Sequence, residues 1–238
     1  MNTINPELKK KIILSDSSIQ IFLSLISKEM GRIMFIAPNY EDSINLKNRI
    51  KLFDPCVDVL VFPEFDCSFF LNISPTKEVL FRRIKTLHNL ISSKERRIIF
   101  ICPIKALISK TIPINKFKKN KLIIKNYSKN IYQNIRTFLA ENNYEFVEIV
   151  RNIGEYSVRG QIIDIFSPAE DHPIRILFNL DDIESLNFFD RHSQNNINKI
   201  DKYILLAATE IIFDNESIRT FRELFRKYKF KDKKEFYN

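Results

Sequence analysis

Gly31-Arg-Ile-Met-Phe-Ile-Ala-Pro-Asn39 decides the fold of the first half of this chain. The unbroken apolar run Ile33–Ala37, ended by Pro38, reads as a strand buried on both faces, the pattern of a parallel sheet. Upstream, Ile19, Phe22, Leu23 and Ile26 recur at helical spacing behind the candidate caps Ser15–Asp16–Ser17–Ser18, and Gly31 fits the residue just past a helix end. Downstream come a helix over Glu41–Phe53 and a second apolar run, Val57–Phe62, closed by Pro63. A long helix then opens at Ser74–Pro75 and runs to about Ser93, with Pro75 at the first helical position, where its missing N–H costs nothing. A third run, Ile98–Cys102, is closed by Pro103, and a short helix begins over Lys105–Ser109. Helices alternating with buried strands over Ser15–Ile112 predict an α/β layer on a parallel sheet.

The pattern changes after Pro113. Asn115–Lys121 reads as a lysine-rich connector and Tyr127–Asn142 as one more helix, with Ile131, Ile135, Phe138 and Leu139 on one face. From Tyr144 onward, short alternating strands follow over Phe146–Val150, Glu155–Val158, Ile162–Phe166, Ile174–Phe178 and Ile183–Phe189, separated by turn residues. That is an antiparallel α+β insert. Tyr203–Ala208 is again apolar and is expected to return to the first sheet, before a final helix over Ser217–Tyr228 and a basic tail. The expected organisation is therefore an α/β domain over 1–120, an α+β domain over 121–198, and a return strand and basic helix over 199–238 packing on the first domain. The chain ends at Phe236–Tyr237–Asn238 without a cap or closing strand, which reads as the end of a piece rather than of a finished protein.

Composition excludes several function classes. Only three glycines occur, Gly31, Gly154 and Gly160, where average usage would give about seventeen. Gly154 and Gly160 are one residue too widely spaced for a phosphate-cradling G-x-x-x-x-G-K, and Gln161 stands where the lysine belongs. No dinucleotide fingerprint can be written either, so no nucleotide cofactor is expected. Cys56, Cys67 and Cys102 fit neither a disulfide framework nor a zinc site and read as reduced thiols of a cytoplasmic protein. No apolar run approaches the ~18 residues of a membrane span, and Met1–Leu14 lacks the apolar core of a signal peptide. No membrane partner is expected.

The net charge is +9, from 38 basic and 29 acidic residues. It permits contact with nucleic acid, although an Ile-, Lys- and Asn-rich usage imposed by an AT-rich genome explains the excess equally well. Lys105 to Lys125 holds seven lysines and no acid, and Arg219 to Lys234 holds eight basic residues against Glu223 and Asp232. Contact there would be sequence-independent phosphate attraction. His88, His172 and His192 have no ligand-spaced partners, and the acidic pairs Asp181–Asp182 and Asp164/Glu170 suggest no acid–base couple. No catalytic or metal-binding residue is assigned.

The sharpest local signal is Gly154-Glu-Tyr-Ser-Val-Arg-Gly-Gln-Ile-Ile-Asp-Ile-Phe166, which concentrates two of the three glycines. Arg159 precedes a turn made permissive by Gly160, and Arg175 begins the neighbouring strand. Two arginines on neighbouring strands can form a planar recognition surface for carboxylates; the plainer reading is two structural arginines.

Together with Ile174-Arg-Ile-Leu-Phe178, Asp182-Ile-Glu-Ser-Leu186, Phe189-Asp-Arg-His-Ser-Gln194 and Ile204-Leu-Leu-Ala207, this stretch resembles the UvrB-like module of bacterial transcription-repair coupling factors. Phe62–Pro63, Phe65, Asp66, Ser74–Pro75 and Arg83-Ile-Lys-Thr-Leu87 resemble the same module's first domain, so the resemblance runs from about residue 15 to the end. UvrB itself would carry a working phosphate loop and a long tyrosine-rich hairpin; here Leu14–Ser18 replaces the loop and only a short stretch follows Pro63.

The resemblance implies a degenerate RecA-like parallel-sheet domain interrupted by a small α+β (antiparallel) insert that docks onto UvrA in nucleotide excision repair. It implies a non-hydrolysing adaptor rather than an enzyme, with RNA polymerase binding and ATP-driven translocation expected only from segments absent here. The alternatives are a subunit of an ATP-dependent DNA translocase or helicase, or a basic module related to UvrB that binds duplex DNA. By position, the family's UvrA-contacting residues fall on Arg159, Arg175 and Asn179. Leu177 stands where the family carries an acid and Asn179 where it carries phenylalanine, a change expected to weaken the contact.

Overall fold

The computed structural model describes residues 15, 18–67, 74–93, 97–211 and 215–227. They fall into two units, Met1–Lys110 and Thr111–Asn238, so the division lies ahead of the expected 120/121 boundary. In the first unit, α1 (Ile19–Met30) ends on Gly31, whose φ of +73° is a left-handed conformation that glycine adopts without Cβ strain. β1 (Arg32–Ala37) follows, and Asn39 then caps α2 (Tyr40–Phe53) by accepting the Asp42 N–H at 2.8 Å. β2 is Asp58–Val61. α3 (Lys77–Ser92) begins after Thr76, whose hydroxyl accepts from the Val79 N–H. The threonine cap thus leaves Pro75 outside the helix, not at its first position. β3 (Ile98–Pro103) leads directly into α4 (Ile104–Leu107).

All pairing in this sheet is parallel, in the order β1-β3-β2. Ile99 and Ile101 of the central strand are fully buried against Val59, Leu46, Ile50 and Leu23, which explains why the strand reads as an uninterrupted apolar run.

The second unit opens with α5 (Ile114–Lys119) and β4 (Lys121–Lys125), where the sequence suggested a connector. The helix expected over Tyr127–Asn142 is shorter: α6 spans Tyr132–Glu141. Tyr127 and Asn130 take positive φ values of 59° and 51°, which break helical geometry until both are passed. β5 is only Glu145–Phe146; Val150, expected in that strand, packs instead against Phe166 and Phe189. β6 (Glu155–Arg159), β7 (Ile162–Ile165), β8 (Ile174–Asn179), β9 (Asp182–Phe189) and β10 (Asn196–Lys199) complete a six-stranded sheet, antiparallel except where β5 pairs with β6.

β11 (Lys202–Leu206), expected to join the first sheet, pairs antiparallel with β4. Its anchors lie inside the second unit. The Ser167 N–H donates to the Tyr203 hydroxyl at 2.9 Å, the Leu206 N–H to the Ser167 hydroxyl at 3.1 Å, and the Tyr144 hydroxyl to the Leu206 carbonyl at 2.6 Å. These satisfy buried polar groups that would otherwise oppose the packing. α7 spans Asn215–Lys227, and the basic tail expected beyond it lies outside the described residues. Among the described residues the fold is thus mixed α/β, with a three-stranded parallel sheet, a six-stranded mainly antiparallel sheet and the two-stranded antiparallel ribbon of β4 and β11. No described helix is long and apolar enough to cross a membrane.

Candidate functional site

The register of the second unit's sheet builds a polar face from ordinary strand alternation. Ser157, Asp164, Arg175 and Asn187 pair across four strands and share one face; Arg159, Ile162, Leu177 and Ser185 form the next row on it. The opposite face carries Ile163, Ile165, Ile174, Ile176, Phe178 and Leu186, all fully buried. α6 covers part of it, with Tyr132 edge-on to Phe178 at 4.9 Å between centroids. On the polar face Ser157 and Asp164 are buried, while the row of Arg159, Ile162, Leu177 and Ser185 stays exposed or half-buried.

At the centre of the polar face lies a carboxylate. Asp164 is completely buried and takes a two-pronged contact from Arg175, Nε to Oδ1 and Nη2 to Oδ2, both at 2.9 Å. The paired, planar geometry is the strong form of an arginine–carboxylate contact. Arg175 Nη1 donates to the Gln194 carbonyl at 3.0 Å, and the guanidinium lies 4.6 Å from the Phe189 ring centre. Arg159 reaches the same Asp164 Oδ2 through one nitrogen, Nη2, at 2.5 Å. Its side chain stays 49% exposed, against 19% for Arg175.

Local sequence explains why these groups converge. Gly160, at φ +59°, turns the chain between β6 and β7; a Cβ there would meet nothing within 4 Å, so the demand is conformational rather than steric. Asp190 Oδ1 accepts the N–H groups of Ser193 at 2.7 Å and His192 at 3.1 Å, which hold its carboxyl below the ordinary range. That turn ends in Gln194 at φ +63°. Gln194 Nε2 donates to the Val150 carbonyl at 3.1 Å and the Arg191 carbonyl at 2.9 Å, which orients the backbone oxygen that Arg175 uses. Phe189-Asp-Arg-His-Ser-Gln194 is therefore the brace behind Arg175.

Arg159 and Arg175 are brought together, but by a shared internal carboxylate. Asp164 carried no role in the sequence reading beyond its pairing with Glu170. Its signal was present, since a lone acid among the apolar residues of Ile162–Phe166 must be paired to be buried. Asn179 stands apart, exposed at the far end of β8 and opposite Asp182 across the turn. It shares the face but lies four residues along the strand from Arg175, about 13 Å at the usual rise.

The histidines do not converge. His88 lies 3.4 Å from the Ser92 hydroxyl, His172 packs beside Phe188, and His192 accepts from Arg191. Among the described residues no cluster of His, Cys, Asp or Glu could hold a metal ion.

Residues 122–211 match the UvrB interaction domain, a stretch that begins in β4 and runs past β11. The chain is 32% identical over 169 residues to a transcription-repair-coupling factor of Haemophilus influenzae, covering 71% of this chain and 15% of that protein. It is 27% identical over 202 residues to the Escherichia coli protein of the same description, covering 85% of this chain and 17% of the relative. For the Rickettsia bellii protein the values are 28% over 200 residues, 84% and 18%. The chain thus spans less than a fifth of the length of these relatives.

Proposed function

We propose, from the premise that this chain is a relative of the transcription-repair-coupling factors and carries a UvrB interaction domain, that it acts in transcription-coupled nucleotide excision repair as a non-hydrolysing adaptor that captures UvrA. In this reading the first unit is a degenerate RecA-like layer and the second an insert that docks the partner. One observation carries the docking surface: a half-exposed Arg159 held on the polar sheet face by the fully buried Asp164. The resemblance read in the sequence implies that Arg159, Arg175 and Asn179 form the contact. The geometry divides their labour.

Arg159 spends one nitrogen on Asp164 and offers the remainder of its fork to a carboxylate or carbonyl of the partner. Arg175 spends Nε, Nη1 and Nη2 internally, so it positions Asp164 and through it Arg159. Half-buried Ile162 and Leu177 supply apolar area beside them, and Asn179 marks the rim. The missing glycine-rich loop supports the absence of ATP turnover.

Capture of the chain by immobilised UvrA tests this. Arg159→Ala should weaken capture by about 2–5 kcal/mol, while thermal stability falls less than in Asp164→Ala because Arg175 still pairs with the carboxylate. Arg175→Lys should lower both capture and stability, because lysine cannot span both carboxylate oxygens and the Gln194 carbonyl. Asn179→Phe should strengthen capture without changing stability. Undiminished capture by a folded Arg159→Ala protein overturns the assignment, and ATPase activity that co-elutes with the chain overturns the non-hydrolysing role.

A further inference from the structure

The ribbon formed by β4 and β11 carries a charge arrangement that folding alone disfavours. In its antiparallel register Lys125 stands directly opposite Lys202, and Ile123 opposite Ile204. Directly opposed residues point to the same face with their Cβ atoms about 5 Å apart, and like charges so placed repel. Both lysines are exposed, as are Lys121 on the same face of β4 and Ile123 between them. At the end of the ribbon bearing the Lys125/Lys202 pair, Lys199 Nζ lies 3.1 Å from the Tyr127 hydroxyl and 5.2 Å from its ring centre, and that tyrosine is 69% exposed. Among the described residues, none of Lys121, Lys125, Lys199 and Lys202 forms an ion pair with a carboxylate. Asp201, the acid nearest in sequence, accepts the Asn126 N–H at its backbone carbonyl at 2.9 Å, and its carboxylate pairs with none of these lysines.

Uncompensated cations around exposed apolar and aromatic groups suit a polyanion with flat faces. We propose that this ribbon is a nucleic-acid contact, sequence-independent, in which Lys121, Lys125 and Lys202 meet backbone phosphates and Ile123 and Tyr127 lie against bases or sugars. Lysines serve as point charges for phosphates, whereas this unit holds its carboxylate with the planar forks of arginine. The opposite face of the ribbon is committed to the interior, with Ile124, Tyr203 and Leu205 fully buried, so the basic face is left to a partner from Lys125/Lys202 to Ile123/Ile204; at its other end Leu206, opposite the exposed Lys121, is buried.

Fluorescence anisotropy of the whole chain with labelled single-stranded and duplex 20-mers, between 50 and 200 mM salt, tests the proposal. Binding should weaken steeply with salt, with a logarithmic slope near −2 to −3 for three phosphate contacts. Lys125→Glu/Lys202→Glu should weaken binding at 100 mM salt by more than tenfold, since each lost contact removes roughly five- to eightfold. Lys105→Glu/Lys110→Glu makes the same charge change within the same lysine-rich run but off the ribbon, and should cost less than threefold.

Lys125→Glu alone separates binding from folding. It turns the like pair into an opposite pair with Lys202, so thermal stability should rise while nucleic-acid affinity falls. The proposal is overturned if the chain fails to bind either oligonucleotide at 50 mM salt. Equal losses from the two double variants would also overturn it, as would displacement of the oligonucleotide by poly-glutamate at equal charge concentration. Any dependence on UvrA is absent from this assay, so its outcome is independent of the docking surface around Arg159.

Discussion

Each unit holds a carboxylate tied to arginine, and the two are built for different ends. In the first, Asp54 closes α2: it accepts from the Ser24 hydroxyl at 2.6 Å and from Arg97 Nη2 at 2.7 Å. The same Arg97 nitrogen lies 2.8 Å from the Ser27 hydroxyl and 3.2 Å from the Ser24 carbonyl. Although Arg97 also reaches water, each of these contacts is spent on tying α1, α2 and the approach to β3 together. In the second unit Asp164 is buried more deeply, yet one of its two arginines leans out of the sheet with half its side chain in solvent. Enclosure makes an ion pair a fastener; an incomplete enclosure makes it a mount for a group that a partner can reach.

Substitutions at the two acids test that contrast. Asp164→Ala strands two guanidinium groups beside a buried site and should cost about 3–5 kcal/mol in denaturant unfolding. Asp54→Ala should cost less, because Arg97 keeps Ser27 and the Ser24 carbonyl and already reaches water. Equal losses would break the comparison.

Acid gives the next largest effect. The Ser24 hydroxyl, and after it Arg97, hold the Asp54 carboxyl down to about 2 from an ordinary 3.8. A depressed folded-state value stabilises above the unfolded one, so this contribution is complete above about pH 5 and is lost as pH falls through about 2. Discounted for solvent screening, it amounts to about 1–2 kcal/mol. Asp54→Asn should flatten the stability curve of the chain between pH 5 and 2; an unchanged curve would remove Asp54 as its source.

The smallest effect belongs to the turn that aims Arg159. Gly160→Ala places a Cβ at φ +59° with nothing to clash against, so only the left-handed penalty of about 1 kcal/mol remains. UvrA capture should fall with it if the turn sets the arginine's direction, and should not move if Asp164 alone does.

Much of this was legible in the residues. The three apolar runs closed by Pro38, Pro63 and Pro103 identify the parallel strands, because a strand covered on both faces has no polar position to mark its period. The meander from Glu155 to Phe189 is equally visible, since one open face enforces alternation. β4 was not: Lys-Leu-Ile-Ile-Lys within a lysine-rich stretch looks like a connector until Ile124 is seen buried against Tyr203. The late start of α6 was hidden as well, because the left-handed residues Tyr127 and Asn130 leave no compositional mark.

The arginines divide along the same line. Their presence on neighbouring strands follows from spacing and alternation, which are properties of the chain alone. That they share Asp164, that Arg175 is consumed by the Gln194 carbonyl and that Arg159 is left half free depend on cross-strand register, which pairs Asp164 with Arg175 and sets Arg159 one row away. Likewise the sequence determines that lysines crowd residues 105–125, while only the pairing of β4 with β11 sets Lys125 against Lys202. Local periodicity is encoded within a few neighbouring residues, but partners separated by up to 85 positions meet only when burial of the opposite sheet faces has chosen one register over its neighbours.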